Sequence, residues 1–182
     1  MGDLRLATLR DAADIDELMK VSTNDIFPRF YDDTQTASAV IHIASVDRQL
    51  ISDGTYFVIE EAGELVACGG WSKRDKLYTG SGPCATDDRL VDPATEPARV
   101  RAMFVRPDRT RRGLGTRILE ACEDAARSGG FTTLDLMATL PGVLLYEHYG
   151  FIVIERTHLM MPDGQSLACV SMRKPVERVE EV

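Results

Sequence analysis

Residues 98–122 read ARVRAMFVRPDRTRRGLGTRILEAC, and this order of residue types is suited to holding an anion. A β-prone run, Ala98 to Val105, ends at Pro107, and the segment RTRRGLG follows it. An amphipathic helix is predicted from Gly113 to about Ser128, with Leu114, Ile118, Cys122, Ala125 and Ala126 on one side. The first N–H groups of a helix have no partner within it, and the macrodipole adds partial positive charge at that end. Gly113 and Gly115 carry no Cβ and let the backbone come close to a ligand. Arg109, Arg111 and Arg112 contribute full charges. Strand, glycine-bearing turn, cations and helix N-terminus together make a cradle for a phosphate or pyrophosphate. The run is not a P-loop, because no Gly-Lys-Ser/Thr follows, and it lacks the full glycine set of a dinucleotide fingerprint.

Other chemistry is sparse. Cys68, Cys84, Cys122 and Cys169 are far apart, and no pair has the spacing of a zinc or redox site. They read as reduced core residues. His42, His148 and His158 are equally scattered, so no metal is expected. The chain has 21 Lys plus Arg against 29 Asp plus Glu, a net charge of −8. That balance argues against a nucleic-acid partner, which needs clustered cations. No apolar run is long enough to span a bilayer and the N-terminus has no signal-like apolar core, so no membrane association and a cytoplasmic location are expected.

The elements that must place the anion cradle alternate along the chain. A strand is predicted at Leu4 to Leu9, then a helix capped by Asp11 with Ile15, Leu18 and Met19 on its inner face. Asn24 to Asp33 reads as a loop, and a second helix runs from Thr34 or Thr36 through Ile51 to Gly54. Tyr56 to Ile59 and Leu65 to Trp71 form an antiparallel hairpin. Asp75 to Pro97 shows neither period and reads as a long loop, expected to be mobile without ligand. After the cradle helix come a strand at Thr132 to Met137, a short helix around Tyr146, and strands at Phe151 to His158 and Leu167 to Met172. The strand–helix–strand from Ala98 to Met137 implies one right-handed parallel pair within an otherwise antiparallel sheet. One domain over residues 1–175 and an exposed acidic tail, 176–182, account for the length.

Three motifs in series resemble the GCN5-related N-acetyltransferase (GNAT) superfamily. Met103, Phe104, Val105 and Pro107 match the family's apolar strand end. Residues 110–115, TRRGLG, match its Q/R-x-x-G-x-G/A loop, with Thr110 at the first position where the family has Gln or Arg. Tyr146, Gly150 and Phe151 match its Tyr-x-x-x-Gly-Phe segment. The resemblance covers nearly the whole chain. It implies an α/β fold with a mostly antiparallel sheet of about six or seven strands, a splayed parallel pair and about four flanking helices. It further implies an acyl-CoA N-acyltransferase with acetyl-CoA as co-substrate, and transfer to a primary amine by direct attack in a ternary complex.

By this resemblance Met103, Phe104 and Val105 offer backbone groups to the pantetheine arm, and Arg111, Arg112, Gly113, Leu114, Gly115 and Thr116 hold the pyrophosphate. Tyr146 faces the departing thiolate as donor of a hydrogen bond or proton. The base is open among ordered water, Glu60, Glu61, Glu96 and Asp135. The acceptor, a small-molecule or peptide amine, is expected between residues 26–31 and 159–165, with Phe27, Phe30, Tyr31, Met160 and Met161 as an apolar wall, and Trp71 nearby. A homodimer is an assembly the resemblance allows. A catalytically silent acyl-CoA-binding sensor on the same fold is the alternative reading.

Overall fold

The structure, a computed structural model, describes residues 2–75 and 89–177. Its elements in chain order are β1 (Asp3–Leu6), α1 (Ala12–Ile26), α2 (Asp33–His42), α3 (Arg48–Ser52), β2 (Tyr56–Glu61), β3 (Glu64–Ser72), β4 (Ala98–Val105), α4 (Leu114–Ser128), β5 (Thr133–Thr139), α5 (Val143–Tyr149), β6 (Ile152–Met160) and β7 (Ser166–Pro175). The strands form one sheet in the order β1-β2-β3-β4-β5-β7-β6. Every pairing is antiparallel except β4 with β5. The anticipated α/β architecture is therefore present, with five α-helices among the described residues where about four were expected.

The additional helix comes from a break. The periodicity of residues 34–51 predicts one helix, whereas α2 stops at His42 and α3 restarts at Arg48. Asp47 accounts for the restart: its carboxylate accepts from the Gln49 N–H as an N-cap and from Arg101 on β4. A local pattern does not reveal a contact made 54 residues away. Helix α1 also runs further than predicted, to Ile26, and a single 3-10 turn at Phe27–Arg29 replaces part of the expected loop.

Each face of the sheet carries its own core. Helices α4 and α5 cover one, burying Leu114, Ile118, Cys122, Ala126 and Tyr146 against Val100, Leu134, Leu136 and Met172. Helices α1 and α3 cover part of the other, around Ile15, Met19, Leu50, Tyr56, Val58 and Phe104. A third cluster joins Phe27, Tyr31 and Ala39 to Leu159, Met161 and Leu167. Burying apolar surface on both faces explains why β3 reads as a near-continuous apolar run from Leu65 to Trp71 instead of alternating. Cys68, Cys122 and Cys169 are buried free thiols, while Cys84 lies outside the described residues.

Of the segment from Asp75 to Pro97, residues 76–88 lie outside the described residues, and so does the expected mobility of that part. Its two ends are held together: Asp75 N–H donates to Arg89 O and Val91 N–H to Lys73 O, each at 2.8 Å, and Val91 enters the core. Past Pro175 the first residue of the expected exposed tail is held in the fold, and residues 178–182 lie outside the described residues. Val176 is buried, and its N–H donates to Thr132 O at 2.9 Å. Among the described residues, no helix is long and apolar enough to cross a membrane.

Candidate active site

The sheet opens into a fork at its centre. β4 and β5 pair only at Ala98 with Leu134 and Arg99 with Asp135, then separate. On its other edge β4 stays bonded to β3 as far as Val105. Arg106 N–H donates to Val66 O on β3, so by strand alternation the N–H of Val105 points away from β3, toward the opening. An unpaired strand edge at the bottom of a cleft is a site for an extended ligand with amide groups.

A bulge sits on β4 just beyond the branch point. Between the pairs Gly70–Arg101 and Cys68–Phe104, β3 has one residue and β4 has two. Ala102, one of the two, has φ of 52°. A residue with a Cβ is uncommon there, and such bulges bend and twist a strand. Nothing in the sequence signals this feature, because alanine has no preference for the left-handed region. Beyond the bulge, Met103 and Val105 face the α4 core and Phe104 faces the α1 core. All three side chains thus pack against a core, Phe104 buried and Met103 and Val105 half-buried.

At the end of β4 the chain enters the predicted cradle. Thr110 donates its hydroxyl to Pro107 O at 3.1 Å, which ties the turn. Arg111 (φ 61°) and Gly113 (φ 76°) are left-handed on either side of Arg112, the alternation from which backbone anion nests are made. No atom lies within 4 Å of where a Cβ on Gly113 would be, so this side of the turn is open. Gly115 is different. It is buried in the first turn of α4, and a Cβ there would come within 2.7 Å of the Leu145 side chain on α5. The missing side chain of Gly115 therefore also makes room for helix packing. Leu114 is buried and Thr116 half-buried beside it. Arg109 and Arg112 both reach Glu61 at the β2–β3 turn, at 3.5 and 3.4 Å. Arg111 is exposed and has no ion-pair partner among the described residues.

Tyr146, on α5, is buried against Gly142 and stacks edge-on against Phe151 with ring centroids 5.8 Å apart. Burial pushes its phenol well above the usual tyrosine range, and the neighbouring Cys122 adds to the shift. Its hydroxyl makes no hydrogen bond with any of the described residues and is not fully enclosed.

A family model described as the acetyltransferase (GNAT) family matches residues 16–151. The chain belongs to the GNAT family. Among curated protein sequences, none matches it. Similar solved structures include a GCN5-related N-acetyltransferase from Rhodopseudomonas palustris, 19% identical over 96% of both chains with a TM-score of 0.72. The PaiA N-acetyltransferase of Thermoplasma acidophilum, solved with coenzyme A, is 14% identical over 96% of this chain and 99% of that one, with a TM-score of 0.68. yncA of Salmonella typhimurium, assigned as an acetyltransferase and solved with its cofactor acetyl-CoA, is 18% identical over 100% and 98%, with a TM-score of 0.64. At these identities the likeness is one of fold.

The carboxylates considered for a GNAT base are each bound to arginine. Glu60 pairs with Arg5 at 3.0 Å and Glu61 with Arg109 and Arg112. Glu96 accepts from Arg89 and from the Asp92 N–H, which together hold its carboxyl down at about 2. Asp135 accepts two bonds from Arg173, at 2.6 and 2.7 Å, and one from Arg99 at 3.1 Å. Among the described residues no group of three or more His, Cys, Asp or Glu is placed to hold a metal ion.

The two segments assigned to the acceptor side do meet. Phe27, Tyr31, Leu159 and Met161 form one apolar cluster. Tyr31 donates its hydroxyl to Ala168 O at 2.7 Å and accepts from the Leu140 N–H at 2.9 Å. Ser38 donates to Asp163, and Gln35 to Ser166 O. Phe27, Tyr31 and Met161 are thereby consumed in packing, while Phe30 and Met160 remain exposed. Trp71 lies on the α4 face, edge-on to Phe131 at 5.7 Å, and is a core residue.

Proposed function

We propose that this GNAT protein moves the acetyl group of acetyl-CoA to a primary amine of a small molecule or peptide by direct attack in a ternary complex. The observation that carries the reading is the fork, an unpaired β4 edge leading into an open left-handed turn at a helix N-terminus. The backbone N–H groups from Arg111 to Thr116 and the charges of Arg111 and Arg112 suit a pyrophosphate. The β4 edge at Met103 to Val105 suits the two amides of a pantetheine arm. When bound, acetyl-CoA supplies a thioester whose carbonyl is open to an amine. The Val105 N–H is placed to donate to the oxygen that gains charge during attack.

In this reading Tyr146 faces the departing sulfur. Its phenol ionises far above a thiol, which titrates near ~8.5 if it behaves like cysteine. The hydroxyl then acts as a hydrogen-bond donor to the departing sulfur. Tyr146→Phe keeps the ring and is expected to lower turnover about tenfold while leaving acetyl-CoA affinity nearly unchanged, in line with loss of one charge-assisted hydrogen bond. Thiol release from acetyl-CoA against a panel of amines measures this. Wild-type turnover in the Phe variant would remove the hydroxyl from the reaction, and no thiol release with any amine would favour the silent sensor.

With Glu60, Glu61, Glu96 and Asp135 committed to arginines, the amine's proton leaves to water. The rate should then follow the free-base fraction of the acceptor. For an amine of pKa ~10, kcat/KM is expected to rise about tenfold per pH unit from 6 to 9. A plateau near neutrality that is the same for amines of different pKa would instead reveal a protein base.

A further inference from the structure

The bulge at Ala102 is held by a residue two strands away. Tyr56 on β2 is fully enclosed, and its hydroxyl donates to the Ala102 carbonyl at 2.7 Å. To reach it the ring crosses β3 at Gly70, the register partner of both Tyr56 and Arg101. A Cβ on Gly70 would come within 2.7 Å of the ring carbon Cδ2 and 2.5 Å of Thr55 O. The glycine on β3 and the tyrosine on β2 are therefore matched to one another across the strand between them. What they meet on β4 is the carbonyl of a non-glycine residue in the left-handed region, a conformation that costs a residue with a Cβ and is free for glycine. Such a conformation persists only where its surroundings hold it.

The bulge lies between the last β4–β5 pair, at Arg99 and Asp135, and the Val105 edge. It bends β4 where the fork opens and sets the phase in which Met103, Phe104 and Val105 follow. We infer that Tyr56 is a positioning residue for acetyl-CoA. Its hydroxyl pins the Ala102 carbonyl, keeps the bulge left-handed, and so aims the Val105 edge into the fork. The inference rests on the acetyl-CoA reading above. Tyr56 touches no reacting atom in this account; it acts through the shape of β4.

Tyr56→Phe retains the ring and removes the tether. Acetyl-CoA affinity, read by calorimetry, is expected to fall about tenfold, the scale of one buried hydrogen bond. Adding Ala102→Gly is expected to restore affinity to within about threefold of wild type, because glycine holds the left-handed bulge unaided. Val58→Ala, a buried truncation on the same strand and in the same core cluster, serves as the control. It should lower the melting temperature and leave affinity unchanged. Unchanged affinity in Tyr56→Phe overturns the tether, and so does a double variant no better than the single. A control that loses affinity as strongly as Tyr56→Phe also overturns it, by showing a general stability effect. If Tyr56→Phe does not fold alone, the Phe substitution is read in the Ala102→Gly background, where a loss above threefold counts against the proposal. Failure of the wild-type protein to bind acetyl-CoA overturns the acetyl-CoA reading and this inference with it, whereas binding by wild type with an indifferent Tyr56→Phe overturns the tether alone.

Discussion

Gly113→Asp is expected to abolish measurable acetyl-CoA binding and leave the fold in place. The backbone there has φ of 76°, which aspartate tolerates better than most residues at a cost of about 1 kcal/mol. Apart from its chain neighbours no atom lies within 4 Å of the added Cβ, so the side chain enters without a clash there. It would sit where a pyrophosphate must approach. Two negative charges about 5 Å apart at an effective dielectric near 20 repel by roughly 3 kcal/mol, a loss of more than about 100-fold in affinity. Gly113→Asn separates charge from bulk, since asparagine has nearly the same size and the same tolerance of the left-handed region. It should lose about tenfold or less, if charge repulsion supplies most of the effect. Calorimetric titration with acetyl-CoA, paired with a thermal melt, decides it. Wild-type affinity in the Asp variant would show that the turn does not hold the ligand. The same substitution at Gly115 is not equivalent, because it would drive a charge into the α4–α5 contact with Leu145.

Asp47→Ala carries the largest expected loss of stability. Arg101 lies on β4 with its side chain 2% exposed, and the Asp47 side chain that faces it is 10% exposed, with 2.8 Å between them. Desolvation lowers the Arg101 pKa, and the Asp47 carboxylate offsets part of that shift. Removing one member of such a pair leaves a buried charge without compensation, which costs about 3 kcal/mol or more. The alanine also removes the cap from α3, worth about another 1 kcal/mol. For a chain of this size a loss of that order lowers the melting temperature by roughly 10 °C. The double variant Asp47→Leu/Arg101→Met should recover most of the loss, because an apolar pair of similar volume has no charge to desolvate. Urea unfolding with an unchanged slope measures both. A single variant within about 1 kcal/mol of wild type, or a double variant as unstable as the single, would contradict the account.

The residues that could be read in advance are those whose role is local. Gly113 follows a strand and opens an amphipathic helix, and three motifs occur in family order, so the cradle, the parallel pair and the GNAT fold were all legible in one dimension. Periodicity located the cores for the same reason: a helix or strand face is written in its own few residues. What it could not show is which of two nearby residues also packs against a distant helix. Gly113 and Gly115 look alike in sequence, and only the position of Leu145, thirty residues on, separates them.

The remaining features depend on contacts between residues far apart in the chain. The interruption between α2 and α3 follows from Asp47 meeting Arg101. The ion pairing of Glu60, Glu61, Glu96 and Asp135 follows from arginines on other elements, which turns four candidate bases into charge partners. The bulge at Ala102 receives a hydrogen bond from Tyr56, whose ring passes Gly70 on the strand between them. Sequence by itself determined most of the elements, the strand–turn–helix at Gly113 and the family, because propensity, periodicity and motif spacing act over a few residues. Tertiary structure alone decided the fork's shape, the ion pairing of those four carboxylates and the contact of Tyr56 with the β4 bulge. Each of those is set by desolvation and hydrogen bonding between side chains that only the folded sheet brings within reach of one another.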